Sequence, residues 1–204
     1  MSFIRLESEG ITIFPIHRLV HELRDFDAFG LLQRLGKYFQ VETIPSAGAD
    51  PLITAEKVVA LMSQRQSEKL NCFGLYLPAD RSFHLLTFLP QHGGQIDWPA
   101  DKSVAWRQLD ISVLQVVILD HLLGIGEKEL AAQTNLEYVS CYRETIQTAN
   151  AKSFQCAFLL NPTPIHHVKQ VVEAGDLLPQ KSTHFHPKLM EGLVFARHIQ
   201  GQGL

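Results

Sequence analysis

The chain has 204 residues, 46% hydrophobic and 19% charged, enough for one large domain or two small ones with a sizeable core. A formal net charge of −3 and a pI of about 6.3 leave no electrostatic footprint for nucleic acid or an anionic membrane. The three cysteines, Cys72, Cys141 and Cys156, include no CxxC pair, which argues against a disulfide framework or zinc knuckle and for a reduced, cytoplasmic setting.

The first ten residues carry acids and no apolar h-region, so they do not read as a secretory signal. Ile11 to Phe14 alternates β-branched residues up to Pro15 and reads as a strand. Phe26, Phe29, Leu32, Leu35 and Phe39 recur at helical spacing, predicting an amphipathic helix over 27–39. Val41 to Ile44 reads as a short strand. Ser46 to Pro51 is a loop, and Ala55, Val58, Val59 and Met62 define a second helix over 53–68.

Phe73–Leu77 and Phe83–Leu89 flank Pro78–Ser82 in the pattern of a β-hairpin. Gln91 to Lys102 is an ordered surface loop and the weakest point for a domain split. The apolar run Ile111 to Ile125 is broken by Ser112, Gln115, Asp120 and His121 and is too short to span a bilayer comfortably. Ser112 to Gln115 fits a capping box, Gly124 supplies a stop, and the helix between them is apolar almost all round, as a buried helix is.

Leu136–Val139 reads as a strand, Tyr142–Asn150 as a helix and Phe154–Leu160 as a buried strand. Thr163 is expected to cap a helix with Pro164 at its first position, burying Ile165, Val168, Val171 and Val172 and ending at Gly175. Gly192–Ala196 reads as a closing strand. Helices and strands are intermixed without βαβ regularity. The expected class is therefore α+β (mixed α/β), with a mostly antiparallel or mixed sheet and packed helices, in a single domain over 1–204.

Chemically capable groups are densest from Leu178 to Leu189. Lys181, Ser182, Thr183 and Lys188 could line an anion pocket with lysines as counter-charges; the bland reading is local backbone satisfaction. His17 and Arg18 follow a strand and a proline, where a guanidinium could clamp a carboxylate or phosphate or make a structural salt bridge. Asn161 and Thr163 lie where a strand turns into a helix N-terminus, an anion site or simply a capping turn.

His184 and His186 share a face if extended, but two imidazoles do not make a metal site. His166 and His167 are expected to diverge, so no metal is assigned. Cys156 reads as an inert core thiol, and Phe26, Phe29, Phe39, Phe73 and Phe158 as core. The residues name no cofactor.

Leu178-Leu-Pro-Gln-Lys-Ser-Thr-His-Phe-His-Pro-Lys-Leu-Met-Glu-Gly-Leu-Val194 resembles the closing signature of the domain-of-unknown-function 1015 family. Ile13–Val20, Leu109–Gln115 with Leu122–Ile125, and Phe158–Thr163 with Glu173–Gly175 resemble further family stretches in the same order. Full-length members carry an upstream half with an Asp-Gly-His-His-Arg-type motif, similar to ParB/sulfiredoxin-like proteins, some of which phosphorylate free serine. This chain has no Gly-His-His-Arg, so the resemblance is to the C-terminal half.

The resemblance implies a phosphate- or nucleotide-binding domain of a small-molecule-modifying, kinase-like enzyme. The alternative is a non-catalytic companion or oligomerisation module. The partners expected are a small phosphorylated ligand or nucleotide and a partner chain or homodimer, with no nucleic acid and no membrane.

Overall fold

A computed structural model describes residues 12–45, 50–132 and 134–187. Its strands are β1 (Thr12–Phe14), β2 (His17–Val20), β3 (Phe39–Ile44), β4 (Cys72–Leu77), β5 (Ser82–Phe88), β6 (Leu136–Val139), β7 (Cys156–Leu159) and β8 (His184–His186). The helices are α1 (Ala28–Leu35), α2 (Pro51–Ser67), α3 (Val104–Arg107), α4 (Asp110–Val113), α5 (Glu127–Ala132), α6 (Tyr142–Ala151) and α7 (Ile165–Glu173). α4 runs directly into a π-helical stretch, Leu114–Leu122.

Six strands pair in the order β3-β5-β4-β7-β2-β6, and β1 pairs separately with β8. Every one of these pairings is antiparallel. The class is α+β.

The sheet is covered on both faces. Leu31, Leu35, Phe73, Leu114 and Val117 pack in one core, against α1, α4 and the π-helical stretch. Ala55, Val58, Met62, Ile146 and Leu159 pack in the other, against α2 and α6. That double cover is why β4 and β7 are buried along their whole length and read as apolar runs rather than alternations.

Local chemistry explains the element ends. Asp27 accepts from the amides of Phe29 and Gly30, Asp50 from that of Leu52 and Ser103 from that of Trp106, each satisfying donors that a helix start leaves free. Gly124 and Gly175 take left-handed backbone, φ +69° and +81°, just past the helices they end. No helix among the described residues is long and apolar enough to cross a membrane.

Several local expectations are corrected. The first helix stops at Leu35 and Phe39 opens β3, because Gly36–Tyr38 turn the chain back onto the sheet. Phe29 is 69% exposed on α1 and Val172 59% exposed on α7, so neither is core. Ser112 is not a cap: the helix starts at Asp110, and the Ser112 hydroxyl is buried with no hydrogen-bond partner among the described residues. Pro164, not Thr163, caps α7.

The helix after Val113 widens to i→i+5 spacing, as in the bond from the Leu123 amide to the Ile118 carbonyl at 3.0 Å. α3, α5 and β8 are additional to the elements that the sequence pattern predicts. Within 91–102, the 3-10 turn Pro90–Gln95 and a bond from the Trp98 indole to the Gly93 carbonyl order the loop. The expected strand over 192–196, part of the 46–51 loop and Lys188 lie outside the described residues.

Candidate functional site

β2 lies between β6 and β7, so His17 and Arg18 sit inside a central strand rather than at a strand exit. Alternation along β2 sends them to opposite faces. Leu19 belongs to the core under α2 and α6, and Val20 to the core under α4. His17 shares the first direction and Arg18 the second.

Arg18 is the centre of the candidate site. Only 2% of its surface is exposed, and its register partner on β6 is Tyr138. Cross-strand partners lie side by side, and the guanidinium carbon is 5.0 Å from the centroid of the Tyr138 ring, a cation–π contact. One terminal nitrogen donates to the Ile16 carbonyl and the other to the Lys181 carbonyl at 2.9 Å. No carboxylate of the described residues lies within ion-pair distance of it. Burial pulls its pKa down to about 10, opposed by Tyr138, so it stays a cation at neutral pH.

A cavity of about 270 Å³ opens beside Arg18. Tyr138, Gln180, Gln115 and Glu127 supply polar groups to its lining, and Leu114 and Leu130 are among its apolar ones. The π-helical stretch contributes Leu114, Gln115 and Leu119 to this lining.

The segment 179–183 crosses the cavity wall at Gln180. Lys181 has φ +57°, a left-handed conformation that costs a side-chain-bearing residue free energy. Its ammonium lies 5.5 Å from the centroid of the same Tyr138 ring. Three bonds hold the segment: Arg18 to the Lys181 carbonyl, the Thr163 hydroxyl to the Ser182 carbonyl at 3.0 Å, and the Ser182 hydroxyl to the Pro179 carbonyl at 2.5 Å.

Of the residues singled out in the sequence, the structure therefore brings Arg18 and Lys181 together, with Ser182 and Thr163 serving the backbone of the same segment. Thr183 follows half-buried. His17 stands apart: its Nδ1 accepts the Leu160 amide at 3.1 Å, and burial, then Arg18, lower its pKa to about 4. Asn161 is also apart, its amide donating to the Met62 carbonyl of α2 at 3.0 Å.

His184 and His186 share one face of β8 and flank Phe14 edge-on, at 6.1 and 5.5 Å between centroids. His166 and His167 do not diverge; their rings touch at 4.4 Å. Among the described residues no group of three His, Cys, Asp or Glu side chains could hold a metal ion. Cys156 is buried and its thiol pKa is pushed up by that burial.

Tyr138, Gln115, Glu127 and Gln180 were missed in the sequence. A strand pairing puts Tyr138 next to Arg18, and no local pattern encodes that pairing.

This is an antiparallel six-stranded sheet between helical layers, with one buried cation beside a small cavity. Residues 1–112 match the family described as Protein of unknown function (DUF1015), and the chain belongs to it. The closing signature at 178–194 lies outside that match. No curated protein matches the chain.

Among solved structures, a free serine kinase in complex with AMP is similar at 16% identity and a TM-score of 0.45, over 89% of this chain and 57% of that one. A free serine kinase in complex with ADP is similar at 16% identity and 0.43, over 89% and 56%. A conserved hypothetical protein from Pyrococcus furiosus is similar at 16% identity and 0.40, over 89% and 59%. The chain thus spans well under two thirds of the length of each.

Proposed function

We propose that this chain binds a small molecule bearing a phosphate or similar oxyanion, in the cavity between β2, β6 and the α4–π helix. The observation that carries this reading is Arg18, a cation 2% exposed at a cavity wall with no carboxylate partner among the described residues. An unpaired buried ion costs several kcal/mol, and a ligand anion would recover part of that cost. Among the described residues two protein bonds engage the five-donor guanidinium, whose planar fork is suited to phosphate or carboxylate.

Among the described residues the lining contains no serine, cysteine or histidine. That favours a binding or companion role for this chain, with covalent chemistry supplied elsewhere. Calorimetric titration of inorganic phosphate and phosphorylated metabolites into the wild type and Arg18→Met tests the reading. Binding by the wild type that is lost in a folded Arg18→Met supports it; equal binding in both, or none to the wild type, overturns it.

A further inference from the structure

The anion site and the segment 179–183 share one guanidinium. Arg18 lines the cavity, and the same side chain donates to the Lys181 carbonyl at 2.9 Å. Gln180, one residue earlier in the segment, is itself part of the lining. Moving the segment therefore changes both the wall that a ligand meets and the anchor that orients the cation.

The segment is built as a strap, fixed at its ends and lightly held between them. Leu178 packs against the core under α1 and α4, and His184 pairs with Phe14 across β8 and β1. Between these anchors the Ser182 hydroxyl bonds within the strap itself, to the Pro179 carbonyl. Among the described residues, the hydrogen bonds that tie 179–183 to the rest of the chain come from Arg18 and Thr163. Against these stand the entropy of fixing the span and the left-handed backbone of Lys181 at φ +57°. Each bond is worth little once exchange with water is counted, so docking is closely balanced.

We infer that the strap and the anion site form one coupled unit, in which a ligand binds the docked strap in preference to the released one. Thr163 is then a positioning residue for the site, although it is not part of the lining. This rests on the reading of Arg18 as the anion site. Release of the strap removes the Gln180 wall and one of two carbonyls that orient the guanidinium, so an anion loses contacts and a positioned fork. Such coupling is reciprocal: whatever the docked strap adds to ligand affinity, the ligand returns as protection of the strap. Apparent affinity scales with the docked fraction, and Thr163 acts on that fraction through the Ser182 carbonyl.

Calorimetry and limited trypsin digestion of the full chain, with inorganic phosphate as probe, test the coupling in the wild type, Thr163→Val, Thr163→Ser and Arg18→Met. Trypsin cuts after lysine, so cleavage of Lys181–Ser182 reports the released strap, and cleavage at other lysines is the internal standard. Saturating phosphate should slow the Lys181–Ser182 cut in the wild type about fivefold or more relative to that standard. Arg18→Met should show no such protection. Thr163→Val should bind phosphate about fivefold more weakly, and Thr163→Ser, which keeps the hydroxyl, within about twofold of the wild type.

Phosphate that binds the wild type without selectively slowing the Lys181–Ser182 cut overturns the coupling. So does equal affinity for a folded Thr163→Val and the wild type. In either case the anion-site reading stands if a folded Arg18→Met no longer binds. Equal binding to Arg18→Met and the wild type, or none to the wild type, removes both. Thermal melts show which variants are folded; with an unfolded Thr163→Val, the protection measured in the wild type decides alone.

Discussion

The ring nitrogen Nδ1 of His17 accepts the amide N–H of Leu160 at 3.1 Å, which joins β2 to the end of β7 through a neutral imidazole. Protonating Nδ1 would remove that acceptor and place a second cation beside Arg18. Burial and Arg18 accordingly hold the folded-state pKa at about 4, below the ordinary 6.5.

A histidine with a depressed folded pKa contributes stability that is full above pH 6.5 and is lost as pH falls towards 4. The depression corresponds to about 2–3 kcal/mol at pH 4.5 relative to pH 7.5. His17→Asn keeps an acceptor near the same place and removes the titration. Urea unfolding at the two pH values should show the wild type losing stability relative to this variant on acidification; parallel losses refute the assignment.

Asp110 acts in the opposite direction. Burial raises its carboxyl to about 6, although Asn71 donates to it at 2.7 Å and lowers it somewhat. A raised carboxyl contributes stability that is full below about pH 4 and is lost as pH rises through 6. Asp110→Asn keeps a carbonyl for Asn71 and should stabilise the protein at pH 8 by about 1–2 kcal/mol. The favourable position of a carboxylate at the start of α4 trims the gain. At pH 4 the variant and wild type should coincide in chemical denaturation. Because His17 and Asp110 titrate in overlapping windows with opposite signs, the wild-type profile between pH 4 and 6.5 should be flatter than that of either variant.

At Gly74 the backbone of β4 lies close against α2 and β7. A Cβ there would stand 2.8 Å from Val58 Cγ1 and 3.1 Å from both Leu159 Cβ and Met62 Sδ. Gly74→Ala should cost about 1–3 kcal/mol by overpacking, read from the urea midpoint at constant slope. Adding Val58→Ala should restore part of the loss, since it removes the nearest atom.

Thr163→Val deletes the hydroxyl's bond to the Ser182 carbonyl while keeping the side chain's size. Loss of one such bond lowers stability by about 1 kcal/mol. The sharper readout is trypsin, which cuts after lysine: the Lys181–Ser182 bond should be cleaved faster in the variant, as identified by mass spectrometry of the first fragments. First cleavage at another site, with Lys181 unchanged, contradicts the role given to Thr163.

The sheet's hairpin and α2 were legible because their signals are local. β4 and β5 are largely apolar runs on either side of a turn that holds Pro78 and Asp80 and ends at Ser82, and Asp50-Pro51 pairs an N-cap with proline at the first helical position. The misplaced helix end at Phe39 came from a phenylalanine that keeps helical spacing with Leu35 yet is buried by β5, a tertiary override of a local pattern. Ser112 misled for the opposite reason: a polar residue inside a buried helix imitates a cap.

At the site, Arg18 and Lys181 were visible as cations next to prolines. Their meeting was not, because it depends on the register Arg18↔Tyr138 and on the bend at Lys181. The separation of His17 and Asn161 from Arg18 follows from which face each addresses, and two-residue strand periodicity reveals that only after the strand is known to be central.

The pairing of β1 with β8 sets how the molecule answers mechanical load. Thr12 lies opposite His186 and Phe14 opposite His184, so the chain runs outward from both strands at the same end of the pair. Tension between the two flanks therefore opens the pair like a zipper, one rung at a time, instead of shearing all its bonds together. The next link in line on the β8 side is the bond from Thr163 to the Ser182 carbonyl, and after it the Arg18–Lys181 bond. On the β1 side a pull passes Pro15 and Ile16 and arrives at β2, so the load meets the six-stranded sheet and the cavity wall together at Arg18.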